Sequence, residues 1–262
     1  MQLTFYKYQG TGNDFIILDN RENQVPPLGR EIIRDLCNRR FGIGADGLML
    51  LEKKEGYDFA MVYYNADGRE SSMCGNGGRC LVKFAYSQGI HKATYSFVAT
   101  DGEHLAEIDD KGHVRLKMKD VDAVDEHATY SVLNTGSPHF VKFDRDVAKI
   151  DVPLSGSEIR YSKTFAAEGI NVNFVEMLDS DSIFVRTYER GVEDETLSCG
   201  TGVTAAALVS AHNENGFNRV EVRTPGGHLS VEFDKIDDQH FENIWLCGPA
   251  DFVFKGEVTI TV

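Results

Sequence analysis

No run of apolar residues in this sequence approaches the roughly 20 that a helical membrane span needs, and no membrane association is expected. The first residues, Met-Gln-Leu-Thr-Phe-Tyr-Lys, alternate like a strand and lack the apolar stretch of a secretory signal, so the expected location is cytoplasmic. Cysteine is sparse: Cys37, Cys74, Cys80, Cys199 and Cys247, with no C-x-x-C pair. An odd count without that pair argues against a disulfide framework and against a structural zinc site. The histidines are scattered without metal-ligand spacing, so no metal is expected. Positive charge is also in deficit, with 27 Lys+Arg against 41 Asp+Glu. Nucleic acid is held by neutralising phosphates, so it is not an expected partner.

What remains is an ordinary globular composition. The chain has 262 residues, 42% of them hydrophobic and 10% aromatic, enough for a packed core in one large domain or two small ones. Strand patterns fall at residues 3–9, 15–19, 48–51, 59–64, 94–98, 105–108, 114–118, 140–143, 173–176, 183–188, 220–223, 229–233 and 252–262. Helical patterns fall at 28–39, 75–86 and 202–211. Strands dominate and helices are few, which predicts an α+β fold. The polar stretch 119–129 reads as a linker or domain crossover between residues 1–118 and 119–252, with the strand at about 253–262 expected to join the first domain. The last helix is apolar nearly all round (Val203, Ala205, Ala206, Ala207, Leu208, Val209), the signature of a helix buried on every side by a surrounding sheet.

One long repeat is visible. Cys74-Gly75-Asn76-Gly77 and Cys199-Gly200-Thr201-Gly202 share the pattern C-G-x-G about half a chain apart. A helical stretch follows each, and a polar residue after an aromatic-rich strand precedes each: Tyr64-Asn65 and Tyr188-Glu189-Arg190. A cysteine just before a helix lies beside unpaired N–H groups and the positive end of the helix dipole, which favour the thiolate. The glycines let a ligand approach the backbone, and the exposed N–H groups suit a carboxylate. Two such elements facing one another would suit inversion of a carbon stereocentre. One thiolate removes a proton from one face, and one thiol delivers a proton to the other. N–H groups aimed at the substrate carboxylate would stabilise the charge that develops there.

With these residues the chain resembles the diaminopimelate epimerase family. The matching segments appear in order: Gly12-Asn13-Asp14-Phe15, Gly42-Ile43-Gly44-Ala45-Asp46-Gly47, Tyr64-Asn65-Ala66-Asp67-Gly68, Cys74-Gly75-Asn76-Gly77-Gly78-Arg79-Cys80, Gly136-Ser137-Pro138-His139, Asn171-Val172-Asn173-Phe174, Tyr188-Glu189-Arg190-Gly191 and Ser198-Cys199-Gly200-Thr201-Gly202. The resemblance implies two pseudo-symmetric domains, each a mixed or antiparallel sheet curled round a central helix. It also implies interconversion of LL- and meso-2,6-diaminopimelate without pyridoxal or any other cofactor, and a homodimer. In its terms Cys74 and Cys199 are the acid/base pair, supported by Glu189 and His139. Gly75, Asn76, Gly200 and Thr201 hold the reacting carboxylate, while Asn13, Asn65, Asn171, Glu189 and Arg190 hold the rest of the substrate. Ser137 departs from the family, which often has asparagine there, so a distal contact at that position is expected to be weaker or water-mediated. From the residues alone, a proline racemase-like enzyme, a thiol redox protein and a non-catalytic amino-acid binder remain open.

Overall fold

The computed structural model describes residues 1–211 and 215–261. The last residue of the expected C-terminal strand, Val262, lies outside the described residues, as does His212. The chain divides into two compact units, Met1–Leu116 together with the segment from Pro249 onward, and Lys117–Gly248.

Among the described residues, each unit is one mixed sheet with two α-helices, and the second adds a 3-10 turn at Val147–Lys149. In the first, the strands run in the order Asp251–Thr259, Gln2–Gly10, Asn13–Asp19, Gly47–Glu52, Phe59–Asn65, Thr94–Ala99, Gly102–Ile108 and Val114–Lys117. In the second, the order is Val124–Glu126, Ser131–Asn134, Pro138–Phe143, Asn171–Asp179, Ser182–Glu189, Gly216–Thr224, Gly227–Lys235 and Phe241–Gly248. Read across either sheet, the pairings are antiparallel, antiparallel, parallel, antiparallel, parallel, antiparallel, antiparallel. The halves therefore share one topology. The C-terminal strand fills in the first unit the place that Val124–Glu126 fills in the second.

Parallel neighbours cannot be joined by a tight turn and need a crossover. The helices supply all four crossovers: α1 (Arg30–Cys37) and α2 (Gly75–Ser87) in the first unit, α3 (Val152–Arg160) and α4 (Gly200–Ser210) in the second. Helix α2 packs inside the curve of its own sheet, and α4 does the same in the other unit. The opposite face of each sheet is covered by α1 or α3. Ile16, Leu18, Leu48 and Leu50 pack with Ile33 and Leu36, and Val172, Phe174 and Tyr188 pack with Val152. Strands covered on both faces lose the in/out alternation of polarity, which is why Phe15–Leu18 and Leu48–Leu51 read as unbroken apolar runs.

Two expectations need correction, and one helix was not foreseen. The 119–129 stretch is not a bare linker. Buried Val121 bridges to Phe241, and Val124–Glu126 pairs with Ser131–Asn134, a strand with Val124 buried and its other two side chains solvated. The helix expected at 28–39 is only Arg30–Cys37, because Gly29 is its extended N-cap and the chain turns extended again at Asn38. Helix α3 was hidden by Pro153 and Gly156. The proline lies in the first turn, where no N–H is needed, and Asp151 caps Leu154 N–H.

The central helices begin with glycines that their sheets demand. A Cβ at Gly202 would lie 2.3 Å from Asn173 Oδ1, and one at Gly77 would lie 2.2 Å from Met49 Cε. The first neighbour is a hydrogen-bonded buried amide. The second is the free end of a flexible side chain that can swing aside. Gly202→Ala is therefore expected to lose about 1–3 kcal/mol in chemical denaturation. Gly77→Ala is expected to stay within about 1 kcal/mol, because the helix gains by replacing glycine. Equal losses would contradict this packing.

Candidate active site

Both repeated cysteines occupy the N-cap of their unit's central helix, in nearly the same extended conformation. Cys74 has φ −107° and ψ 128°, and Cys199 has φ −111° and ψ 111°. The first intrahelical bonds run from Gly78 N–H to Cys74 C=O (2.7 Å) and from Val203 N–H to Cys199 C=O (2.8 Å). The N–H groups of residues 75–77 and 200–202 thus precede the helical ladder. Neither cysteine side chain caps its helix. Each unit presents a sulfur beside a fan of backbone donors, a setting that favours an anion on either.

In the first unit, the Cys74 thiol lies 3.6 Å from Asn13 Oδ1, and the Asn76 amide donates to the same oxygen at 3.3 Å. Asn13 Nδ2 donates to Asp46 Oδ2 at 2.6 Å, which turns its carbonyl toward Cys74. Asp46 is in turn held by Arg39 at 2.7 Å. Asp14 is bound by Arg39 at 2.6 Å and by Lys7 at 2.8 Å. Burial alone would raise the Asp14 carboxyl, but these two cations hold it down at about 2. At the other end, Arg79, fully buried, donates to Asn76 Oδ1 at 2.9 Å and to Gly75 C=O at 3.3 Å. Asn65 is exposed at its strand end.

The second unit uses different side chains at matching places. Sheet register pairs Phe15 with Gly47 and His139 with Asn171, and pairs Leu48 with Tyr64 and Val172 with Tyr188. Asn65 and Glu189 thus stand at equivalent strand ends, as do Gly47 and Asn171. Cys199 Sγ lies 3.5 Å from Thr201 Oγ1, and the Thr201 carbonyl accepts from Thr135 Oγ1 at 2.8 Å. Glu189 is half-buried and accepts from Thr196 Oγ1 at 2.8 Å. Asn171 donates to Ser137 Oγ at 2.9 Å and to Pro138 C=O at 3.1 Å, and accepts from Arg190 N–H at 2.9 Å. Both of its amide hydrogens are used, so it can still offer a ligand only an oxygen lone pair. The exposed Arg190 guanidinium donates to Ser137 Oγ at 3.2 Å and to Glu168 C=O at 3.0 Å. Ser137, Asn171 and Arg190 therefore form one cluster, with His139 fully buried next to it in sequence.

The structure therefore gathers Asn13, Cys74, Gly75 and Asn76 in one unit. In the other, Asn171, Arg190 and Ser137 meet, and Cys199, Gly200 and Thr201 open the helix. Cys37 and Cys80 are differently placed, both buried. Burial pushes the Cys37 thiol up to about 11 and that of Cys80 higher still, so both are held protonated. Asp46, Arg39, Asn173 and Thr135 support the site without having been singled out from the sequence. Asn173 had a signal: it follows Asn171 by two within a buried strand, which puts both amides on one face.

The sequence matches the family model described as diaminopimelate epimerase over residues 5–124 and 131–253. A diaminopimelate epimerase of Flavobacterium psychrophilum is 50% identical over 97% of this chain and 99% of its own length. One of Chlorobaculum tepidum is 42% identical over 96% and 99%. Among solved structures, a PhzF-family phenazine biosynthesis protein of Bacillus anthracis superposes with a TM-score of 0.76 at 16% identity, covering 99% of this chain and 100% of that one. A hydroxyproline epimerase of Agrobacterium vitis, with trans-4-hydroxy-L-proline bound, gives 0.68 at 14% identity over 98% and 92%. At such identities these two show a shared fold.

His139 generates a test of its own. Burial, followed by the charge of Arg190, drives its pKa from 6.5 down to about 3. The folded protein thus binds fewer protons here than the unfolded chain between those values. Its contribution is complete above about 6.5 and is lost as pH falls toward 3, by about 2 kcal/mol at pH 5. His139→Phe, which copies Phe15 of the other unit, should flatten that part of the curve of stability against pH. An unchanged slope would show that His139 is not buried in its neutral form.

Proposed function

This chain belongs to the diaminopimelate epimerase family, and from that membership we propose that it interconverts LL- and meso-2,6-diaminopimelate, a step toward lysine and peptidoglycan precursors, by proton transfer between Cys74 and Cys199. The observation that carries the mechanism is the recurrence of one N-cap cysteine, in one backbone conformation, at the start of each central helix. In the forward direction one cysteine, as thiolate, takes the α-proton and becomes a thiol. The other, a thiol on the opposite face, gives its proton to the carbanion and becomes the thiolate. In the reverse direction the roles exchange, which suits two groups of the same kind. Charge developing on the α-carboxylate is met by the N–H groups of Gly75, Asn76, Gly200 and Thr201.

Helix N-termini accept any α-carboxylate, so selectivity rests on the distal groups. Arg190 supplies a planar fork for the second carboxylate. Asn13, Asn65 and the free oxygen lone pair of Asn171 serve its polar neighbours, and Glu189 and His139 stand beside the reacting centre and bias the thiols. This reading carries with it a cytoplasmic homodimer, for which the exposed Phe252, Val253 and Phe254 offer apolar surface.

The test follows the α-proton by NMR in deuterated water while stereochemistry is assayed. Cys74→Ala and Cys199→Ala should each lose about 10²–10⁴-fold in epimerisation, since either change removes one proton transfer. Arg190→Lys should be severely impaired, and proline should be poorer than diaminopimelate by roughly 10⁴-fold or more, because it leaves the distal groups unpaired. Near-normal turnover in either cysteine variant would refute the two-thiol mechanism. Equal kcat/KM for proline would refute the substrate.

A further inference from the structure

The inner faces of the two sheets differ in one respect that the shared topology does not require. The first unit has Phe15, Met49 and Tyr63, and at the equivalent register positions the second has His139, Asn173 and Thr187. His139 and Asn173 are fully buried and Thr187 nearly so. A polar trio stands, at the face on which α4 begins, where the first unit has two aromatic rings and a thioether.

Its hydrogen bonds leave one arrangement. Asn173 Nδ2 donates to the Phe140 carbonyl at 3.0 Å, and Thr187 Oγ1 donates to Asn173 Oδ1 at 3.0 Å. The amide is thereby fixed from both ends. It is Nδ2 that faces His139 Nδ1, at 3.1 Å. A donor on the amide requires an acceptor on the ring, so Nδ1 carries no hydrogen and the neutral imidazole bears its proton on Nε2. That Nε2 is buried without a hydrogen-bond partner among the described residues. Gly202, in the first turn of α4, keeps the place open, since a Cβ there would lie 2.3 Å from Asn173 Oδ1 and 3.3 Å from His139 Cε1. Buried donors are normally satisfied, so an unsatisfied one beside a helix start points to an acceptor that arrives with turnover.

We propose that Asn173, oriented by Thr187 and the Phe140 carbonyl, is a positioning residue that holds His139 as its Nε2–H tautomer, a fixed hydrogen-bond donor toward the anion formed at the start of α4. The inference rests on the role given to His139 under the proposed function. It adds that the ring donates a hydrogen bond there and does not take up a proton.

Long-range ¹H–¹⁵N correlation spectra of histidine-labelled protein read the tautomer directly. His139 should show a protonated Nε2 and an unprotonated Nδ1 in the wild type. In Asn173→Asp the new carboxylate accepts from Nδ1, so the hydrogen should move there or the ring should become charged, and kcat should fall about 10²-fold with KM changed only a few-fold. Asn173→Met, which copies Met49 of the first unit, should fold, release the tautomer to a mixture and lower kcat about tenfold. A wild-type ring protonated at Nδ1 would overturn the proposal, and so would wild-type kcat in either variant. The spectra need no turnover. An enzyme inactive on diaminopimelate would therefore overturn the functional reading, while the wild-type tautomer would still decide this one.

Discussion

The start of an α-helix leaves N–H groups that the helix cannot satisfy, and this chain builds both of its central helices so that a cysteine stands at that start without capping it. Most proteins put Ser, Thr, Asp or Asn there, whose oxygens quench the donors. Cysteine is a weak acceptor, and the glycine behind it adds no side chain. The donors of residues 75–77 and 200–202 precede the helical ladder, and the sulfur shares their field. Much of the surrounding architecture follows from keeping such a start in place. The helix must be buried to fix its direction, and a curled sheet buries it.

Burial in turn dictates composition. Helix α4 is wrapped on all sides and consists almost wholly of small and apolar residues, with Thr204 returning its hydroxyl to the Gly200 carbonyl at 3.0 Å. Helix α2 carries a charge in the equivalent setting, Arg79, and disposes of it by folding the guanidinium back onto Gly75 C=O, Thr11 and Asn76. That guanidinium also fixes the Asn76 amide, whose other end points to Asn13. At the far side of Asn13, the ion pairs of Asp46, Arg39, Asp14 and Lys7 complete the chain of orientations. Asn13 is in this way oriented by Asp46, which Arg39 holds from behind.

Much of this was legible in the sequence, and what was not has physical reasons. The duplicated C-G-x-G elements and the all-apolar helix after the second announced the repeat and the central helices. The dominance of strand patterns predicted the α+β class, the resemblance implied a mixed or antiparallel sheet round each central helix, and a mixed sheet is observed in each unit. Val124–Glu126 was not legible because three residues with one buried side chain carry no period. Helix α3 was not legible because Pro153 and Gly156 look like breakers, although the first sits in a helix's first turn and the second lets Tyr188 approach the helix backbone. The cysteines and the Asn-rich strand ends could be picked out because their residue types are unusual where they stand. Asp46 and Arg39 could not, since charged residues in a loop are ordinary until register shows which amide they face.

The two halves have one topology and different side chains, with Asn13, Asn65 and apolar packing in one, and Ser137, Glu189 and a His139–Asn173–Thr187 network in the other. Such divergence on a shared frame fits a substrate whose two ends need different partners while its reacting carbon needs two alike. The account stands on proton transfer between two distinct thiols, and the fate of the substrate's own α-hydrogen tests that most directly. In a single turnover of LL-diaminopimelate carrying deuterium at the α-carbons, in ordinary water, the inverted carbon of the meso product should carry hydrogen from the second thiol. Deuterium retained at that inverted carbon would mean that one base removed and returned the same hydrogen, and would contradict the account.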